Sequence, residues 1–154
     1  MRLSRCNYST HITTVFNAYK ASEMSSIYKI CPNATGYLGQ FKRHIGTETE
    51  IEMTLHALDD LDAVPQIDFL KIDAQGAECD VIDGAHDKLS AAVAVVVETR
   101  FYRIYQNEPL LGELDTTLRN QGFELHKFAH QKSRMLPHSQ HHNVKRRLLA
   151  SQLI

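Results

Sequence analysis

An α/β fold with a mostly parallel sheet and flanking helices is what this sequence predicts, on two apolar runs and the helical stripe between them. Ile67, Phe69, Leu70 and Ile72 form a short run that ends on Asp73 and is followed by Gln75 and Gly76, the pattern of a buried strand feeding a turn. From Ala77 the apolar positions Ala77, Val81, Ile82, Ala85 and Leu89 take the spacing of one helix face, with Gly84 as a point where that helix can break. Ala91 to Val97 is then a run without polar alternation, as in a strand covered on both faces, and it stops at Glu98. Strand, helix and strand in succession make a βαβ unit, whose crossover is parallel and right-handed because strand twist lets only that hand pack back on the sheet. Asp73 and Glu98 are therefore expected side by side at one edge of the sheet, where open α/β sheets take their ligands. Two acids that merely cap a strand and a helix satisfy the same spacing, so the residues alone leave both readings open.

Taken in order, Thr10 to Tyr19 carries β-prone residues (Ile12, Val15, Phe16, Tyr19) and is expected as a strand. Ala21 to Ser26 is small and polar, hence a loop. Between Ile27 and Gly46 the aromatics Tyr28, Tyr37 and Phe41 are scattered around Pro32, Gly36 and Gly39, which predicts short surface helices rather than one long one. Glu48 to Leu55 alternates polar residues with Ile51, Met53 and Leu55, the pattern of a half-buried strand near an edge. A short helix is expected over Ala57 to Leu61, ending before Pro65. Beyond the central unit, Pro109 suits a first helical turn, Leu110, Leu111, Leu114 and Leu118 continue the helix, and Gly122 closes it. Phe123 to Phe128 is the next expected strand. His130 to Asn143 reads as a polar loop or hairpin tip, and Val144 to Ile154 ends the chain on apolar residues.

The 154 residues have the length of one domain, and 17 Lys and Arg against 18 Asp and Glu leave the chain almost neutral. Nothing in that balance calls for nucleic acid or an anionic membrane, and no run is long and apolar enough to span a bilayer. Cys6, Cys31 and Cys79 are odd in number and widely spaced, which favours free thiols in a reducing, cytoplasmic compartment over disulfides or a zinc site. Neither G-x-G-x-x-G nor a Walker sequence can be drawn. His138, His141 and His142 have a spacing that metal ligands use, but in a polar loop they read as solvated side chains, so no metal site is assigned. Cys79 reads as a structural thiol, and Ser25 and Ser26 have no base at a recognisable spacing. The stronger constellation is Lys71, Asp73, Gln75, Glu78 and Glu98. Acids at a strand end near a helix N-terminus are held ionised, and in a crevice they can take a hydroxyl proton, hold a divalent cation or bind the donor groups of a cofactor.

The run IDFLKIDAQGAECDVIDGA closely resembles the signature of FkbM-type methyltransferases, enzymes of the Rossmann-like class that depend on S-adenosylmethionine. Met24 to Ile27, Thr54-Leu55, Val97-Glu98 and Gln121 to Leu125 resemble flanking segments of the same family, so the likeness covers about Ser22 to Phe128. It implies a partial Rossmann-like sheet of the class I methyltransferase kind, S-adenosylmethionine as cofactor with a possible divalent cation, and a small-molecule or sugar acceptor methylated on oxygen. It further implies catalytic roles for Asp73 and Glu98 and cofactor-side roles for Asp73, Gln75 and Glu78. Family members carry an upstream glycine-rich turn and a second strand-end acid that hold the cofactor, and a further apolar strand at the other end. The chain is accordingly expected to be a single, incomplete domain across residues 1–154, inactive alone or oligomeric through exposed sheet edges. His56 stands where the family more often has Asp. The alternatives are a non-catalytic α/β binding module, such as a degenerate methyltransferase, and, more remotely, a metal-dependent hydrolase built on Asp73, Glu78 and Glu98.

Overall fold

The structure is a computed structural model that describes residues 12–32, 34, 46–135 and 148–153, with backbone only for 132–135 and 148–153. Its elements are β1 (Ile12–Tyr19), β2 (Glu48–Leu55), β3 (Phe69–Ile72), α1 (Glu78–Asp83), β4 (Ala94–Val97), α2 (Leu111–Asn120), β5 (Gln131–Met135) and β6 (Leu148–Leu153), with single 3-10 turns at Ser22–Met24 and Leu58–Asp60. The βαβ unit forms as the apolar pattern requires. β3 and β4 pair in parallel with Phe69 opposite Ala94 and Ile72 opposite Val97. The connection packs Ile72, Cys79, Ile82 and Leu114 into one core, with Leu70, Val81, Val95, Val97 and Leu118 around it.

A mostly parallel sheet is not what the described residues build. They form three two-stranded sheets, of which β3–β4 alone is parallel. β1 and β2 make an antiparallel ribbon with Ile12 opposite Leu55 and Phe16 opposite Ile51. Alternating apolar and acidic residues suit such a ribbon, since an antiparallel pair can leave one face in water. The ribbon is less covered than its pattern implied, with Ile51 48% and Met53 36% exposed.

Three other expectations change in the structure. The helix predicted from Ala77 to Leu89 ends at Asp83 and continues as turns, although Ala85 and Leu89 are still buried. β4 is half-buried along its length instead of covered on both faces. Phe123 to Phe128 forms no strand, and Leu125 and Phe128 are 52% and 50% exposed. The last two share a cause: a groove of about 710 Å³ lies between β4 and residues 122–129, so that segment has no ladder to join. α2 follows its leucines, burying Leu114, while Glu113 accepts from the Leu110 amide at 2.9 Å and Gly122 takes φ +90 at its end. β5 pairs with β6 as a hairpin. Of the short helices expected between Ile27 and Gly46, none forms over residues 27–32, where Ile30 instead bridges to Tyr105, while residues 33 and 35–45, the loop tip and His138, His141 and His142 lie outside the described residues.

Candidate functional site

The parallel register places Asp73 and Glu98 directly after paired residues, and the Glu98 amide extends the ladder by donating to the Ile72 carbonyl at 3.1 Å. The chain then turns sharply at Gln75 (φ +49) and Gly76 (φ +100). Only glycine adopts such a φ at little cost, and at position 76 a β-carbon would also stand 3.2 Å from the Tyr105 ring. Glu78, at the start of α1, reaches back and accepts from the amides of Ala74 (3.2 Å) and Gly76 (3.1 Å). Burial pushes its pKa up against the pull of the Gly76 amide. Its carboxylate is thus spent on the turn.

Behind the turn lies a buried ion network. Arg100 donates to Glu108 Oε1 (2.7 Å), to Glu98 Oε1 (3.0 Å) and to Gln75 Oε1 (2.8 Å). Its side chain is 5% exposed, that of Glu98 7% and that of Glu108 2%, so these charges are answered by one another and by neighbouring polar groups instead of by water. Glu108 Oε2 also accepts from the amides of Ile104 (2.6 Å) and Tyr105 (3.0 Å), which folds residues 104–108 into a tight loop. The Arg100 guanidinium sits 5.6 Å from the Tyr105 ring centroid. The Tyr105 hydroxyl, its pKa raised by burial, reaches both the Met24 carbonyl (3.0 Å) and Gln75 Oε1 (3.1 Å). Ser26 Oγ donates to the Gln75 carbonyl at 2.7 Å and accepts from the Tyr28 amide at 3.0 Å. Burial raises the Glu98 pKa from 4.5 to about 7; Arg100 opposes the rise, and the neighbouring Asp73 adds to it.

In front of the turn is a cavity of about 410 Å³. Ile12, Phe16 and Leu55 of the ribbon, Ile27, Leu58 and Val81 give it an apolar wall. Asp73, Gln75, Asp60, Asp80, Asp83 and His56 supply the polar groups, and among the described residues no Lys or Arg lines it. The apolar face of the β1–β2 ribbon therefore does not close a core; it walls a space.

The sequence matches the methyltransferase FkbM domain over residues 5–125. The chain belongs to that family. It matches no curated protein and no solved structure. The FkbM signature run lies on β3, the turn and α1, and the family's Ser-Ser-hydrophobic segment supplies Ser26, whose hydroxyl ties the turn down.

Of the site residues read from sequence, Asp73 and Glu98 come together as the βαβ argument required, their side chains within hydrogen-bonding reach, but on different terms. Asp73 is exposed and lines the cavity, whereas Glu98 is buried against Arg100 and is not among the lining residues. Gln75 lines the cavity and bonds inward as well. Glu78 holds the turn. Among the described residues no group of three or more His, Cys, Asp or Glu side chains is placed to hold a metal ion, so Asp73, Glu78 and Glu98 do not form the metal centre of the hydrolase alternative. Arg100, Tyr105 and Glu108 were missed by sequence reasoning. The signal available for Arg100 was its position two residues after Glu98, the spacing at which extended residues share a side. Among the described residues, no helix is long and apolar enough to cross a membrane.

Proposed function

We propose that this FkbM-family chain contributes to S-adenosylmethionine-dependent methylation of an oxygen on a small molecule or sugar, with the acceptor lodged in the cavity beside Asp73. The cavity carries the reading. Its volume of about 410 Å³ suits a small ligand, and it opens beside the carboxyl end of a parallel strand. Apolar walls with carboxylates and, among the described residues, no Lys or Arg favour a ligand that offers hydroxyl protons and disfavour an anion.

S-adenosylmethionine supplies, when bound, a methyl group activated by a cationic sulfur. The residues present fit that charge, because Asp73 is exposed at the strand end with Glu98 behind it, and among the described residues no Lys or Arg lines the cavity. Asp73 is the group we assign to receive the acceptor's hydroxyl proton at a carboxylate oxygen. Glu98 and Glu78 act through it, the first by charge and the second by fixing the turn. Alignment of the two reactants can contribute about 7 to 11 kcal/mol, and a positioned base adds roughly a hundredfold to ten-thousandfold. Three cysteines, odd in number and widely spaced in the sequence, favour a reducing, cytoplasmic setting.

Calorimetric titration of S-adenosylmethionine into the purified chain, followed by assay of S-adenosylhomocysteine formation with a panel of sugars and small alcohols, tests the proposal. Binding and acceptor-dependent turnover are expected. Absence of binding at millimolar cofactor overturns the proposal and leaves the non-catalytic binding module.

A further inference from the structure

Gln75 occupies a place that its residue type alone does not explain. It is one of two non-glycine residues with positive φ among the described residues, a backbone state that is strained for an ordinary side chain. A strained residue persists where its surroundings over-determine it, and here they do. The Ser26 hydroxyl holds its carbonyl, while Arg100 Nη2 and the Tyr105 hydroxyl both point at its side-chain oxygen, at 2.8 and 3.1 Å. A guanidinium has only protons to give, so the amide cannot be turned over without setting donors against donors. Its NH₂ group is thereby forced outward, where Nε2 donates to Asp73 Oδ1 at 2.5 Å.

We propose that Gln75 is the positioning residue of the site: Arg100 and Tyr105 fix the sense of its carboxamide, and the carboxamide in turn clamps one oxygen of Asp73, leaving the other to face the cavity. This rests on the proposed role of Asp73 and deepens it. A buried ion network is thus linked to the exposed carboxylate through a neutral side chain, beside the direct approach of Glu98 to Asp73. Neutrality matters, because an amide can accept from Arg100 on one side and donate to Asp73 on the other, which a carboxylate cannot do.

Gln75→Glu separates this role from a structural one. Glutamate keeps an oxygen for Arg100 and Tyr105, so the fold is retained, but it has no N–H for Asp73 and meets it with like charge. The measurement is the Asp73 χ1 rotamer in the full chain, read at neutral pH from three-bond couplings to its carboxyl carbon. One rotamer is expected in the parent, and loss of that single rotamer to an averaged coupling in Gln75→Glu. Gln75→Leu, which removes both functions of the amide, gives a second reading with the same expected loss. An Asp73 that keeps one rotamer in both variants overturns the proposal. Because the readout needs neither cofactor nor turnover, a chain that transfers no methyl group defeats the proposed function and leaves this test standing.

Discussion

Asp73 and Glu98 end neighbouring parallel strands, one ladder step beyond paired residues, yet the molecule uses them in opposite ways. Each is followed two positions later by a polar side chain that bonds back to it: Gln75 for Asp73 and Arg100 for Glu98. The neutral amide steadies Asp73 without cancelling its charge, and leaves it at the cavity wall. The guanidinium claims Glu98, and Glu108 completes a buried triad around it. A strand-end acid gets its address from the βαβ topology but its role from the residue two places on.

The largest effect should come from the buried side of this pair. Arg100→Leu leaves Glu98 and Glu108 buried without the cation they share, and we expect a loss of about 3 to 5 kcal/mol in urea unfolding, enough to unfold a marginal domain. The exposed side should behave inversely. Asp73→Asn is expected to change stability by no more than about 0.5 kcal/mol while lowering methyl transfer by roughly a hundredfold or more. Equal damage to stability from both substitutions would erase the distinction drawn here. Gly76→Ala tests the turn that joins them. The left-handed φ and the Tyr105 ring together should cost about 1 to 2 kcal/mol in thermal or urea unfolding.

The remaining effect concerns pH. The Glu98 carboxyl has a pKa near 7 in the folded chain against 4.5 for an ordinary glutamate, so between those values the folded chain holds more of the proton than the unfolded one. The stability tied to that proton is full below about pH 4.5 and is lost as pH rises through about 7. Glu98→Gln should remove this component, so the melting temperature of the parent relative to the variant should fall across that interval. A constant difference would mean that burial leaves Glu98 untouched.

Much of this was legible in the sequence for one reason: the βαβ unit writes its topology in apolar periodicity. Ile72, Ile82 and Leu114 sit in the core where the pattern put them, and β3, β4 and the strand-end acids follow. Periodicity does not encode strand direction or the presence of a neighbour. Glu48–Leu55 looks half-buried whether its apolar face meets a core or a cavity, and Phe123–Phe128 looks like a strand although a groove separates it from β4. The ion network was hidden for a different reason. Arg100 and Glu108 are eight residues apart in an irregular loop, and only the fold around Tyr105 brings them to 2.7 Å. Glu78 carried no mark that it would bond its own turn.

The most direct test of the account is a carboxyl titration by NMR of Glu98, in the parent chain and in Asp73→Asn. If the two strand ends form one electrostatic unit at the cavity, Glu98 titrates at about 7 in the parent and distinctly lower once the charge at position 73 is removed. A Glu98 that titrates as an ordinary glutamate, or at the same pH in both proteins, would contradict the pairing on which the candidate site is built.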